Sequence, residues 1–241
     1  MRQMARRWVT ALAVVATLGA LVPARAAGAQ GINLAWDSCG PSGVTNRDFA
    51  CNANTGAENL VVSYTPPQLL LGPVDIISAR IYIYAVDDTV VPSWWLLQSG
   101  GCRSGAVSMT TDAGSDAAYC QQPPAPVDSS KVVYIAPDYY PNRSLLGAYE
   151  VFHSPGASLL PGTEYFGFRF AIDHAKTIGS DSCAGCSRRA SLLLDEVNLV
   201  VDQVQSVDVR TPLRQNVITW QYGLVPVRAK TWGQIKGLYL R

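Results

Sequence analysis

The chain has 241 residues, with 19 basic and 18 acidic side chains, a formal charge of +1 and 48% hydrophobic residues. That balance excludes a disordered polyelectrolyte and leaves no basic footprint for nucleic acid. Six cysteines, an even number, fit an oxidising compartment and a disulfide framework.

In chain order, Arg2, Arg6 and Arg7 come first, an apolar run fills 8–22, and Ala24-Arg25-Ala26 and Ala27-Gly28-Ala29 offer small-residue cleavage sites. Charged, apolar and small-residue segments in that order make a secretory signal peptide over 1–29, cut after Ala29. Residues 1–29 hold four Arg and no acid, so the chain from Gln30 onward carries a charge of −3. No second apolar run approaches the ~20 residues that span a bilayer. The expectation is a secreted, periplasmic or cell-envelope protein with no transmembrane anchor after cleavage.

The body, 30–223, has period-two patterning. In 77–85 the odd positions Ile77, Ala79, Ile81, Ile83 and Ala85 are apolar; in 165–173, Phe166, Phe168, Phe170 and Ile172 share one face. Weaker β-branched and aromatic segments lie at 60–64, 131–136, 148–153, 192–201 and 217–222. Pro66-Pro67, the loop 121–131 with three prolines, Pro155-Gly156 and Pro161-Gly162 punctuate them. No long amphipathic helix is evident. Seven or more short strands predict an all-β fold, an antiparallel two-sheet sandwich of immunoglobulin or fibronectin-like architecture. Residues 30–57 are polar and rich in Gly and Asn, and are expected to wrap the outside.

The cysteines are Cys39, Cys51, Cys102, Cys120, Cys183 and Cys186. Fifteen complete pairings exist and sequence cannot choose among them. Nearest neighbours would give Cys39–Cys51, Cys102–Cys120 and Cys183–Cys186. Cys183-Ala184-Gly185-Cys186 also fits a redox dithiol, but lacks the following helix that lowers a thiolate pKa. Zinc on Cys183, Cys186 and either Cys102 and Cys120 or His174 would need a second paired unit. A structural disulfide in a turn is the plainer reading, with no metal and no cofactor.

A Ser-His-Asp hydrolase would need His153 or His174 beside a nucleophile, and no nucleophile elbow is present. Asp87-Asp88 and the segment from Asp112 to Asp116 could offer oxygens to calcium, but as solvated turns they need no ion. Asn142-Arg143-Ser144 matches a glycosylation sequon. The adjacent aromatics Trp94-Trp95 and Tyr139-Tyr140 fall in expected loops, where both rings of a pair can face a ligand. A sugar platform would need those rings exposed and coplanar on one side; the structural alternative is that they plug the sandwich end.

The final 33 residues carry Arg210, Arg214, Arg228, Lys230, Lys236 and Arg241 and no acid. Within the basic tail 224–241, Trp232, Ile235, Leu238 and Tyr239 would share one face of a short helix that Gly233 and Gly237 weaken. The tail reads either as a sorting tag for an export or envelope partner, or as a strap packed through Trp232, Ile235 and Leu238.

Two resemblances follow from these motifs. Leu159-Leu160-Pro161-Gly162-Thr163-Glu164-Tyr165 resembles the L-x-P-G-T-x-Y corner of fibronectin type III domains, which implies a tyrosine corner at Tyr165. The signal peptide, the β-rich body with Trp94-Trp95, the Cys183–Cys186 spacing and the Thr231-Trp232-Gly233-Gln234-Ile235-Lys236 ending are together similar to uncharacterised secreted bacterial β-sandwich proteins. That resemblance implies an exported β architecture and no particular activity. The sequence thus reads as a secreted structural or adhesive binding protein without its own catalysis. Its partner would be a glycan or a cell-surface protein met by Trp94, Trp95, Tyr139 and Tyr140. A carbohydrate-binding module and a secreted hydrolase are the alternatives.

Overall fold

The computed structural model describes residues 30–222. They form a sandwich of two sheets built from β1 (Gly31–Trp36), β2 (Asn46–Arg47), β3 (Ala57–Thr65), β4 (Val74–Ala85), β5 (Val107–Thr110), β6 (Val127–Ile135), β7 (Arg143–Phe152), β8 (Tyr165–Asp173), β9 (Ala190–Val201), β10 (Gln205–Val209) and β11 (Val217–Trp220). The smaller sheet runs β1-β3-β8-β5. The larger runs β2-β11-β9-β4-β7-β6, with β10 also paired to β9. Pairing is antiparallel apart from the short β11–β2 contact.

The expected strands are present, several of them longer than their apolar cores. The segment 30–57 divides: Gly31–Trp36 is a strand buried along its whole length, and only the residues after it wrap the outside. The Phe-rich strand differs in a second way. The register between β3 and β8 slips at Val62/Ser63, a bulge that turns Phe166 to the opposite face from Phe168, Phe170 and Ile172. Phe166 packs with Cys39, Val61, Ala113 and Cys120, outside the inter-sheet core that holds the other three. Gly167 suits the bulge, because a Cβ there would stand 3.3 Å from the Val62 carbonyl oxygen.

The inter-sheet core is aliphatic and aromatic, with Ile77, Ile81, Leu146, Leu192, Leu194 and Phe168 among its buried members. One long side of the sandwich is closed. The free edge of β1 bonds the segment leading to β11, with the Ile32 and Leu34 amides donating to the Thr211 and Gln215 carbonyls at 2.9 Å each. The other side ends in the edge strands β5 and β6.

The disulfides are Cys39–Cys120, Cys51–Cys186 and Cys102–Cys183. None is a nearest-neighbour pair, which corrects the simplest pairing. Antiparallel strands gather at one end loops that are distant in sequence, and two of the bridges join those loops, while Cys39–Cys120 lies over the outer face of the smaller sheet. The closures span 81, 135 and 81 residues. By chain entropy each then restrains the unfolded state by about 4–5 kcal/mol, against about 3 kcal/mol for a ~15-residue loop.

Candidate binding face

Trp94 and Trp95 are core residues, 0% and 1% exposed, not the contact surface expected of them. Trp94 stacks on Trp220 with centroids 5.0 Å apart, and Trp95 meets both rings edge-on at 5.0 and 5.7 Å. The Arg103 guanidinium lies 3.7 Å from the Trp94 ring centroid. It donates to the carbonyls of Trp94 and Ala175 at 2.9 Å each, and to that of Asp173. Burial lowers the Arg103 pKa to about 10, so the cation persists at neutral pH. The open end of a sandwich needs bulky caps, and here two disulfides and a carbonyl-bound arginine fix both indoles as that cap.

Cys183 and Cys186 are each bonded to a distant partner, so neither is a free thiolate for redox chemistry or zinc. The histidines lie at opposite ends of the sandwich. His174 stacks on Phe49 at 3.7 Å, with Nδ1 2.8 Å from the Thr55 carbonyl and Nε2 3.1 Å from Glu58 Oε1. Arg47 also binds Glu58 and reaches Asp37 at 2.7 Å. Acceptors thus occupy both ring nitrogens, and the ring clamps a loop. His153 Nδ1 lies 3.0 Å from Asp128 Oδ1 on an exposed surface. Among the described residues neither histidine bonds a serine hydroxyl, so no nucleophile–base pair is assembled.

The acidic turns are internally engaged. Asp87 binds Arg189 at 2.8 Å and Asp88 lies 3.6 Å from Arg188. Hydrogen bonding to Arg189 lowers the Asp87 pKa. Asp112 accepts from the Gly114 amide at 2.9 Å, while Asp116 accepts from Ser38 Oγ at 2.8 Å and pairs with Arg169. Tyr165 Oη accepts from the Leu160 amide at 2.9 Å, across five residues. Trp232, Ile235 and Leu238 lie outside the described residues.

Tyr139 and Tyr140 are exposed, at 84% and 50%. Their rings are 5.1 Å apart at 86°, which is no coplanar platform. They belong to a larger surface. The cis Ala136-Pro137 bond opens the turn between β6 and β7 that carries them, and Arg143 follows as the first residue of β7. Its guanidinium stands 4.3 Å from the Tyr82 ring centroid, 4.5 Å from that of Tyr140 and 5.9 Å from that of Tyr84. Asp138 lies 2.6 Å from its Nη2. Burial tends to lower the Arg143 pKa, but hydrogen bonds to Tyr84 and Asp138 turn the net shift upward. The cluster is a fixed cation framed by three rings.

Beside it, the outer face of the larger sheet carries an apolar row. Ile135 pairs with Leu145, Leu145 with Tyr82, Tyr82 with Leu193 and Leu193 with Val217. Directly opposed residues share a face, so the row crosses five strands without a break. Ile135 and Val217 are 45% and 46% exposed; Tyr82, Leu145 and Leu193 are half-buried. Val133 and Tyr149 add exposed apolar surface on the same side. Reading only the buried phase of each strand missed this row. Its signal was the occupation of both phases by apolar residues, as in Ile81-Tyr82-Ile83-Tyr84 and Leu192-Leu193-Leu194.

No family model and no curated protein matches the chain. Among solved structures, the chain is similar to the cohesin module of a family 33 glycoside hydrolase from Clostridium perfringens. The two share 8% identity at a TM-score of 0.35, over 79% of this chain and 94% of that one.

Proposed function

We propose that this is a secreted, non-catalytic binding protein that meets a protein partner through the outer face of its larger sheet. The contact comprises the row Ile135, Leu145, Tyr82, Leu193 and Val217, with Tyr84, Tyr139, Tyr140 and Arg143 at one end. The observation that carries this reading is the unbroken apolar row beside an aromatic-framed arginine. Contiguous apolar surface rimmed by polar groups marks interaction sites, and tyrosine and arginine dominate the energetics of such contacts. A protein surface suits the row better than a sugar does, because the exposed tyrosine rings are perpendicular. Three disulfides suit a life outside the cytoplasm. In this reading 1–29 directs export, 30–223 is the binding domain, and 224–241 docks to an export or envelope partner.

The test uses the processed protein immobilised against envelope proteins of the producing organism. Leu193→Ser and Tyr140→Ser are compared with Tyr119→Ser, an exposed residue away from this face. Loss of a retained protein with the first two substitutions only is expected. Equal retention by all variants, or retention that survives protease but not glycan removal, would overturn the reading.

A further inference from the structure

The least explained group in the core is Glu150. It sits on β7 in the inward-facing phase shared by Leu146, Ala148 and Phe152, and is 0% exposed. Neither carboxyl oxygen has a hydrogen-bond partner among the described residues. The Tyr64 hydroxyl, buried on the facing sheet, is likewise unpartnered. An ionised carboxylate is not tolerated in such a place without a partner.

β6 is the edge strand beside β7; among the described residues it pairs only with β7, and its residues 128–131 are exposed. Ser130 stands directly opposite Glu150, and the ladder slips between Val127 and Ser129 beside it. The two ends of β6 are held unequally. At the Ile135 end, Tyr134 donates to Ser144 Oγ at 2.7 Å and Gln98 to the Ala136 carbonyl at 3.1 Å. At the Val127 end, the Pro126 carbonyl accepts from the His153 amide at 2.9 Å, and Asp128 meets His153 on the exposed surface. No disulfide reaches β6, its turn or β7.

We propose that Glu150 is a pH-operated latch on the free edge of the sandwich: ionisation of its carboxyl releases the Val127–Ser130 half of β6 from β7 while the rest of the fold stays closed.

Of the titratable groups, Tyr64 on β3 is the one that acts on Glu150; Tyr165 on β8 lies beside Tyr64, with ring centroids 6.1 Å apart, and the Tyr134 hydroxyl on β6 is turned to Ser144 at the other end of the strand. β4 presents Ile77 opposite it. Asp128 and Lys131 on β6 are exposed, and the Glu58–Arg47–His174 cluster lies at the other end of the sandwich. Among the described residues no cation therefore faces the carboxyl. Burial alone pushes its pKa from 4.5 up to about 8. The closed strand keeps the proton between those values, whereas the opened strand, with its carboxyl in water, gives it up. Opening becomes easier as pH rises, by up to about tenfold per unit, and levels off above about 8. Ionisation also meets the Tyr64 hydroxyl, whose own pKa is raised by burial first and by Glu150 second.

Amide hydrogen exchange tests this, corrected for intrinsic rates, on the intact processed protein between pH 5.5 and 7.5. In wild type the β6 amides near Ser130 should lose protection by roughly fifty-fold across that range, while β4 and β9 stay protected. Glu150→Gln should abolish the dependence. His153→Gln should keep it, which separates the latch from titration of the His153–Asp128 pair, and Tyr64→Phe should keep it too. An unchanged pH dependence in Glu150→Gln, no dependence in wild type, or an equal loss across β4, β6 and β9 would each overturn the proposal.

Discussion

The outer faces of both sheets carry apolar side chains, and they are covered differently. On the smaller sheet, Val61 and Phe166 point outward and are 0% exposed, because the segments around Cys39 and Cys120 lie over them. That lid is fastened by the Cys39–Cys120 bridge and by Asp116, which holds Ser38 on one side and Arg169 of β8 on the other. On the larger sheet, the row from Ile135 to Val217 has no such lid among the described residues. Its central strands β4 and β9 alternate between buried and half-buried positions, whereas β1 and most of β3 are buried on both faces. One 81-residue closure helps cover one apolar face, and among the described residues the other face is left uncovered. An apolar face that the described residues leave uncovered is where a partner is expected.

Four variants probe that contrast, from the largest effect to the smallest. Replacing Cys39 and Cys120 together by alanine should lower stability by about 4–5 kcal/mol in denaturant unfolding, since the bridge closes a long loop and fastens the lid. A loss below about 1 kcal/mol would mean the lid holds without it. Asp116→Ala leaves the partly buried Arg169 without its carboxylate and should cost about 3 kcal/mol by the same measurement. Glu150→Gln, between the sheets, should have the opposite sign. The folded pKa is raised to about 8, so the wild-type carboxyl destabilises progressively as pH rises from about 4.5 and fully above about 8. The variant should therefore gain about 3 kcal/mol at pH 7 and almost nothing at pH 4, read from unfolding at both pH values. Leu193→Ser on the open face should change stability by less than about 1 kcal/mol, while removing partner binding. A large stability loss there would show that Leu193 is packed and not presented.

The sandwich was legible in the sequence because the period of two in 77–85 and 165–173 reads as strand, and the β-branched and aromatic content of segments such as 192–201 adds further strands. Two features of the fold were not. Cysteine pairing depends on which loops the fold brings together at an end or over a face of the sandwich, information that spacing along the chain does not hold. The orientation of Phe166 depends on a bulge that shifts the phase of its own strand. The candidate site was half legible. Tyr139 and Tyr140 are exposed as expected, but Trp94 and Trp95 are drawn inside by stacking on Trp220 and Arg103. Their partners stand elsewhere in the chain, at 103 and 220, and only folding reveals them. The apolar row was hidden for a similar reason: its five residues come from five strands, and only register places them side by side.

The central claim is that the outer face of the larger sheet is the binding face. Hydroxyl-radical footprinting of the processed protein, alone and with a captured envelope partner, tests it most directly. Protection of Tyr82, Tyr84, Tyr140 and Leu193, with Tyr119 equally reactive in both states, is the predicted result. Protection confined to Tyr119 and the lid over the smaller sheet, with the four unchanged, would contradict it.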